Sequence, residues 1–513
     1  MRYNFRIAIS VVTQMLLSKY PRQFLVSSIP VQGLDHLNKL CIGNFFIYHC
    51  QTLCLYNETN ENKTEFAILF GFAFDPIQES DKENDILQKI LDLKNEFEIN
   101  CLVARLSGRF ALFIYKNGKS LIYNDACGLR TVFYITEGVI QIFGSQPSII
   151  GEATTLFAGP KTHLFFHSDY FKKATEYWIP CGLTVWENVG QLLPNHYLYL
   201  EERKQLRFWP TEPIKTVSLE EGIKRISGEL TKGIKWAHNR FPLALPLTSG
   251  FDSRVLLAAS KAVAKDIFIY TFIHLAHLNK THPDITIPKK ILKANGLSHN
   301  LITNDSKPPL KVAEQYTLNN STSHFSEAGI LFSTGASKLA NKVAMFGNVS
   351  EMGKVHSTDE LECNIVEMAD LNLAPSGWNN ISFIKEHVEN WILEANDIQN
   401  KFGISANTLF YWEHRLGNWA AQAYNENDFL MDVFTPFNSR IVLQDLLSID
   451  PQQRRAPNYK LYTELSRHMW PEIMEYPCNP KRTSDKFIRL LKAAARITRI
   501  NKCISAFNDL LTK

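Results

Sequence analysis

The chain has 513 residues, 45% hydrophobic and 21% charged, with a formal net charge of +4. That length allows two to four ordinary domains, and the composition supports sizeable cores. So small a charge argues against a dedicated nucleic-acid binder, which gathers basic charge on one face, and without a run of about 18 apolar residues no transmembrane helix is expected.

At the start, MRYNFRIAISVVTQMLLSKYPRQ, Arg2 and Arg6 precede a short apolar run, as in a signal peptide. Thr13 and Gln14 interrupt that run and no small-x-small cleavage site follows, so a first β-strand is the expectation. The nine cysteines, at 41, 50, 54, 101, 127, 181, 363, 478 and 503, are scattered and odd in number, with no C-x-x-C pair. That usage favours a reducing, cytoplasmic compartment and argues against a zinc site or a disulfide framework.

Residues 1–150 read as β-rich. FAILFGFAF (66–74), FALFIY (110–115) and VIQIFG (139–144) are short, apolar and aromatic, with turns between them. The polar runs NETNENKTE (57–65) and QESDKEND (78–85) read as solvated loops. Residues 160–210 read as a connecting region with further strand-like pieces between Pro, Asn and Gly turn signals.

From about 215 the texture changes. SLEEGIKRISGELTKGIKWAHN (218–239) has amphipathic helical spacing, with Glu220 and Glu221 near its start. LALPL (243–247), DIFIYTFIHLA (266–276) and VAMFG (343–347) read as buried strands, and THPDITIPKKILKANGL (281–297) as a helix ending at Gly296. Strands alternating with helices predict a parallel α/β sheet. The last third, from about 380, reads as mostly helical.

The stretch LPLTSGFDSRVLLAAS (245–260) puts a tight polar turn between a strand and a helix. The free N–H groups at such a helix start, together with its dipole, favour an anion. Gly250 lets the backbone come close, and Thr248, Ser249 and Ser253 add hydroxyls. Asp252 suits a phosphate site if it holds Mg²⁺, which combines one or two carboxylates with phosphate oxygens. The other reading is a capped turn, since Asp and Ser are ordinary N-cap residues.

Four segments in order carry a resemblance. LTSGFDSR looks like the SGGxDS pyrophosphate loop of the N-type ATP pyrophosphatases. LSGRFALFIYKNGKSLIYNDACGLRTVFY (106–134), through Gly108, Phe110, Asp125, Gly128 and Tyr134, is similar to the first-domain ending of the asparagine synthetase family. QLLPNHYLYL…FWP (191–210) resembles that family's interdomain linker, and FTPFNSRIVLQDLLSI (434–449) its late Pro-Phe segment. The resemblance spans most of residues 65–480.

It implies an N-terminal Ntn-hydrolase-like β-rich sandwich domain (1–160), a connecting region (161–214), and a PP-loop, adenine nucleotide α-hydrolase-like parallel-sheet synthetase domain with a helical C-terminal part (215–513). The overall class is α/β and α+β. The family's N-terminal nucleophile is a Cys at the first residue of the mature chain. Here Met1 is followed by Arg2, Tyr3 and Asn4, and the first Cys is Cys41. Phe70-Gly71-Phe72 stands where the family has the Asn-Gly-Glu that holds glutamine. The expectation is a sandwich without glutaminase activity.

For the second domain the resemblance implies ATP and Mg²⁺ as cofactors. Leu247, Thr248, Ser249, Gly250, Asp252 and Ser253 form the phosphate turn, with Phe272 by the adenine and Gly347 and Asn348 opposite. Asp252 and Glu351 are the implied metal ligands and catalytic carboxylates. Thr248 and Ser249 replace the family's Ser and first Gly, and Asn348 replaces a Glu tied to adenylate formation. The backbone N–H groups of 249–251 are expected to act as a preorganised anion hole. Lys460 is either a stabiliser of the acyl-adenylate transition state or a solvated Lys. Glu413 and Arg415 in YWEHRLGNWAAQ either orient an amine and bind a carboxylate, or form an ion pair on a core helix. Asp284 and His299 flank the helix after the second strand, and His299 reads as packing or capping. The tail, 481–502, reads as a basic amphipathic helix, docked on its own domain or touching an anionic membrane surface.

The expected function is an ATP-dependent amide-bond-forming ligase (carbon–nitrogen ligase) that activates a carboxylate as acyl-adenylate. Its substrates are a small-molecule or peptide carboxylate and an amine. Nitrogen comes from free ammonia, a separate glutaminase or pathway partner, or the substrate itself. The alternatives are a catalytically inactive scaffold and ammonia-dependent asparagine synthesis.

Overall fold

The computed structural model describes residues 19–77, 82–173, 178–273, 281–303, 314–316, 319, 336–355 and 378–480. The chain start read as a first strand and the basic tail 481–502 lie outside the described residues. Strands β1 (Phe24–Ser27), β2 (Asn38–Ile42), β3 (Phe45–His49), β4 (Leu55–Thr59), β5 (Phe66–Phe74), β6 (Ser107–Lys116), β7 (Lys119–Asn124), β8 (Phe133–Ile135), β9 (Ile142–Gly144), β10 (Val189–Gln191), β11 (His196–Tyr199) and β12 (Lys204–Arg207) make two six-stranded antiparallel sheets. Their orders are β10-β8-β9-β1-β3-β2 and β12-β11-β7-β6-β5-β4. The segment read as a connecting region thus supplies β10 to one sheet and β11 and β12 to the other.

Alternate residues of β1 and β5 face each other between these sheets. Phe24 stacks on Phe70 at 4.0 Å between ring centroids, among Val26, Ile47, Ile68 and Phe113. Gly71 and Gly108 lie on neighbouring strands with φ of +108° and +130°. A Cβ on Gly71 would meet the Arg109 carbonyl oxygen at 2.2 Å, and one on Gly108 the Phe72 oxygen at 2.3 Å. Only glycine permits that approach. Beyond it, Phe72 and Phe74 pack on Phe241 and Trp236, with centroids 5.2 and 4.7 Å apart.

Two helices, Glu83–Asp92 and Glu96–Arg105, cover the other face of the second sheet. The polar run 78–85 conceals the first of them. Its acidic Glu83 and Asp85 sit at the helix start, where the dipole favours them, and Ile86, Leu87, Ile90 and Leu91 are its buried stripe. In the other polar run, Asn57–Thr59 belong to β4, paired with Phe66–Ile68.

The second half is built on β13 (Leu243–Pro246), β14 (Phe268–Ile273), β15 (Asn300–Thr303), β16 (Val343–Met345) and β17 (Asp432–Phe434). All pairs are parallel, in the order β15-β14-β13-β16-β17. The chain runs outward from β13 through β14 to β15, then returns to add β16 on the other side of β13. The order reverses at β13, so the connections leaving β13 and β16 diverge to opposite sides and leave a crevice at the strands' carboxyl ends. Helix Leu219–His238, with Ser218 accepting from the Glu221 N–H, leads into this sheet. Helix Pro283–Ala294 ends before Gly296, whose φ is +66°. The last part is helical, and Tyr411–Ala420 within it is wound as a π-helix. No helix of the described residues is long and apolar enough to cross a membrane.

A buried ionic cluster joins the two halves. Arg109 of β6 donates to Asp428 at 2.7 and 2.9 Å and to Asp432 at 2.7 Å. Arg130 donates to Asp432 at 2.9 Å and to Asp428 at 3.1 Å. Burial opposes the charge on Asp432, but Arg130 and then Arg109 outweigh it and hold the carboxyl well below its usual range. Removing one partner leaves a buried charge uncompensated. Arg109→Met is therefore expected to destabilise the protein by about 3–5 kcal/mol in urea unfolding. Lys401→Met, at the exposed Lys401–Asp397 pair, is expected to leave the midpoint unchanged.

Candidate functional site

The turn after β13 is held from inside the chain. Leu247 is fully buried; its N–H donates to the Tyr270 carbonyl and its own carbonyl accepts from the Thr271 hydroxyl, both at 2.8 Å. Ser249 turns away from solvent and donates its N–H (2.9 Å) and its hydroxyl (2.5 Å) to Asp284. Gly250 N–H donates to the Thr248 hydroxyl at 3.1 Å, and Thr248 N–H to the Ser253 hydroxyl at 3.2 Å. Ser249 is not among the residues with positive φ, so replacing a glycine there costs no backbone strain. Helix Phe251–Ala259 starts at this turn and is anchored by buried Arg254, which donates to the carbonyls of Ile473 (2.8 Å), Tyr476 (3.0 Å) and Pro477 (3.3 Å).

The opposite wall follows β16. Gly347 abuts Asp252, and a Cβ there would meet the Asp252 Cβ at 3.1 Å. A short helical turn, Asn348–Gly353, then presents Ser350 and Glu351. The Ser350 hydroxyl donates to Asp252 Oδ1, and Tyr411 donates to Glu351 Oε2 at 2.7 Å. Burial, and then the Glu351 carboxylate, push the Tyr411 phenol up. Lys354 Nζ lies 2.8 Å from Asp252 Oδ2 and 3.8 Å from Glu351 Oε1.

Between these walls is a cleft of about 550 Å³. Of the residues singled out from sequence, Thr248, Gly250, Asp252, Ser253, Phe272, Gly347, Asn348 and Glu351 line it. Tyr270, Phe346, Tyr411 and Trp419 add aromatic wall that the sequence reading did not place there.

Other expectations need correction. Leu247 and Ser249 are buried and do not line the cleft. The N–H groups of Ser249 and Gly250 are already committed to Asp284 and Thr248, so these two do not serve in the anion hole expected of 249–251. Glu413 lies outside the cleft, fully buried, accepting from Arg207 Nη2 (3.0 Å), Trp391 (2.9 Å) and Asn195 (3.2 Å). Burial opposes its charge, but Arg207 outweighs burial and lowers its pKa. It is a core ion pair, which excludes an amine-orienting role in this geometry. Arg415 stacks 3.7 Å from the Trp419 ring. Lys460 is exposed at the start of helix Lys460–Met469 and does not line the cleft. His299 pairs with the Thr271 hydroxyl at 2.8 Å, and burial followed by Lys289 lowers its pKa, in keeping with packing.

The implied divalent ion meets a specific obstacle. Each carboxylate has one oxygen bound by a hydroxyl, and its other oxygen faces the Lys354 ammonium. A divalent ion bridging Asp252 and Glu351 would sit within a few ångströms of that like charge. With Lys354 in place, these residues fit an ammonium and not a metal ion. Among the described residues, no group of three or more His, Cys, Asp or Glu side chains could hold a metal.

No family model matches the chain, and no curated protein matches it. A glutamine phosphoribosylpyrophosphate amidotransferase from B. subtilis, solved with ADP and GMP, is similar over 59% of this chain and 66% of that one. The identity is 11% and the TM-score 0.23, a likeness that bears on neither the fold nor the activity of this protein.

The π-helical stretch also carries a buried histidine. His414 Nδ1 accepts the Cys181 N–H at 3.2 Å, and burial pushes its pKa down to about 3 against the pull of Glu413. An unfolded His titrates at about 6.5. Between those values the unfolded chain binds the extra proton, so stability is full above about 6.5 and falls with pH towards 3. One such group contributes a slope of about 1.4 kcal/mol per pH unit. Urea midpoints of His414→Phe across pH 4–7 are expected to lose that part of the slope, whatever its effect at pH 7.

Proposed function

We propose that this protein binds a nucleoside triphosphate, ATP, in the cleft and uses it to activate a carboxylate for amide-bond formation. One observation carries the reading. A hydroxyl-rich turn and a helix start, Thr248–Ser253, open onto the crevice where the strand order reverses, opposite a wall of aromatic rings. The Thr248 and Ser253 hydroxyls are hydrogen-bonded to each other at 3.0 Å, which leaves one hydroxyl proton of the pair for a phosphate oxygen, and Tyr270, Phe272 and Trp419 suit a planar base.

In this reading a carboxylate oxygen of the substrate attacks the α-phosphorus. The bond to the bridging oxygen breaks and pyrophosphate leaves with its electron pair. An amine then attacks the acyl carbon, loses a proton, and displaces AMP. The sandwich takes no part in making ammonia. Phe70 and Phe72 are packed into cores on either side of β5. The amine therefore comes as ammonia, from a partner, or as part of the substrate. The activity is that of an asparagine synthetase-like amidoligase.

Asn348 favours a second reading, a nucleotide-binding scaffold without catalysis, because it lines the cleft where the resemblance calls for a carboxylate. ATP–pyrophosphate exchange with pooled carboxylate metabolites separates the two. The ligase reading predicts exchange in the wild type and its loss in Asp252→Ala, which leaves the Lys354 ammonium without its 2.8 Å partner. ATP binding with no exchange from any pool favours the scaffold. Neither binding nor exchange contradicts both.

A further inference from the structure

Lys354 belongs to none of the motifs read from the sequence, yet it sits at the centre of the charged part of the cleft. Its side chain is 15% exposed, so an unpaired ammonium there would be costly. It is held from four sides. Asp252 Oδ2 is 2.8 Å away and Glu351 Oε1 is 3.8 Å away. The rings of Tyr459 and Tyr462 lie 5.6 Å from it, at cation–π distance. Tyr459 takes a φ of +41°, an uncommon conformation for a bulky residue, in the position that sets its ring against Lys354 and Phe251.

The partners of the carboxylates complete the picture. Ser350 fills one oxygen of Asp252 and Tyr411 one oxygen of Glu351. The remaining oxygen of each is directed at the same Nζ. Two carboxylates converging on one point, with their outer oxygens fixed by hydroxyls, would suit a divalent ion if that point were vacant.

We propose that Lys354 is the resident cation of this cleft: its ammonium takes the position of a divalent ion on Asp252 and Glu351 and supplies positive charge to a bound phosphate. The second half of this statement rests on the nucleotide reading of the cleft; the first does not. A Lys ammonium is a point charge with three donors on a flexible stem, so it can keep one carboxylate while turning a proton towards a phosphate oxygen. Nucleotide binding then needs no metal ion held by the protein.

The test is a Mn²⁺ titration of the full chain without nucleotide, following free Mn²⁺ by electron paramagnetic resonance. Wild type and Lys354→Arg are expected to show no binding up to about 1 mM. Lys354→Met is expected to bind one Mn²⁺ at least about tenfold more tightly than wild type, a difference of about 1.4 kcal/mol. Adding Asp252→Asn to it should abolish that binding. Lys354→Gln serves in place of Lys354→Met if the latter does not fold. Mn²⁺ binding by wild type that is lost in Asp252→Asn overturns the proposal. So does a neutral Lys354 variant that folds and binds no more Mn²⁺ than wild type.

A second arm measures ATP affinity in EDTA and in Mg²⁺. Wild-type values within about threefold of each other support the resident cation. Any larger weakening in EDTA overturns it. No ATP binding in either condition defeats the nucleotide reading alone, and the Mn²⁺ titration still decides whether Lys354 holds the metal position.

Discussion

Two guanidiniums and two carboxylates, all buried, fix how the halves of this protein meet. Arg109 and Arg130 come from the sandwich; Asp428 and Asp432 come from the chain entering the edge strand β17. Such a cluster adds little net stability compared with apolar residues of the same volume. Any docking that separates its members strands a charge in the interior, however, so wrong placements are penalised. Neutral contacts follow the same seam. Asn438 accepts from the Cys127 N–H at 2.9 Å, Trp412 donates to the Ala126 carbonyl at 2.7 Å, and Gln191 donates to the Gly417 carbonyl at 2.8 Å. The cleft depends on this joint, because β17 flanks β16, and the turn after β16 is one wall of the cleft.

The sandwich therefore acts as a foundation. Phe70 and Phe72 are structural: one ring stacks inside the sandwich, the other packs against the second half. Between them only Gly71 fits, because the backbone of β6 leaves no room for a side chain.

Some of this was legible in the sequence. The aromatic strands, the change of texture near 215 and the turn at Thr248–Ser253 follow from local pattern, and the pairing of that turn with Gly347–Glu351 only from the resemblance. The helix Glu83–Asp92 was hidden because its polar start is continuous with a polar loop. Glu413 was ambiguous because the partners that bury it, Arg207, Trp391 and Asn195, lie 22 to 218 positions away. Ser249 was placed on the cleft because nothing nearby in sequence shows that Asp284, 35 residues on, takes its hydrogen bonds. Lys354 had a visible signal, a Ser and a Lys at i and i+4 around Glu351 in NVSEMGK, but only the fold shows that both reach Asp252.

We propose that the cleft at the strand-order reversal holds a nucleotide, with its phosphates at the Thr248–Ser253 turn and its base against the aromatic wall. Photolabelling with an azido-adenine analogue of ATP, followed by peptide mapping, addresses it most directly. Label that excess ATP suppresses is expected on peptides containing Tyr270–Phe272 or Tyr411–Trp419. Suppressible label confined to other segments, or no suppressible label at any concentration, would contradict it.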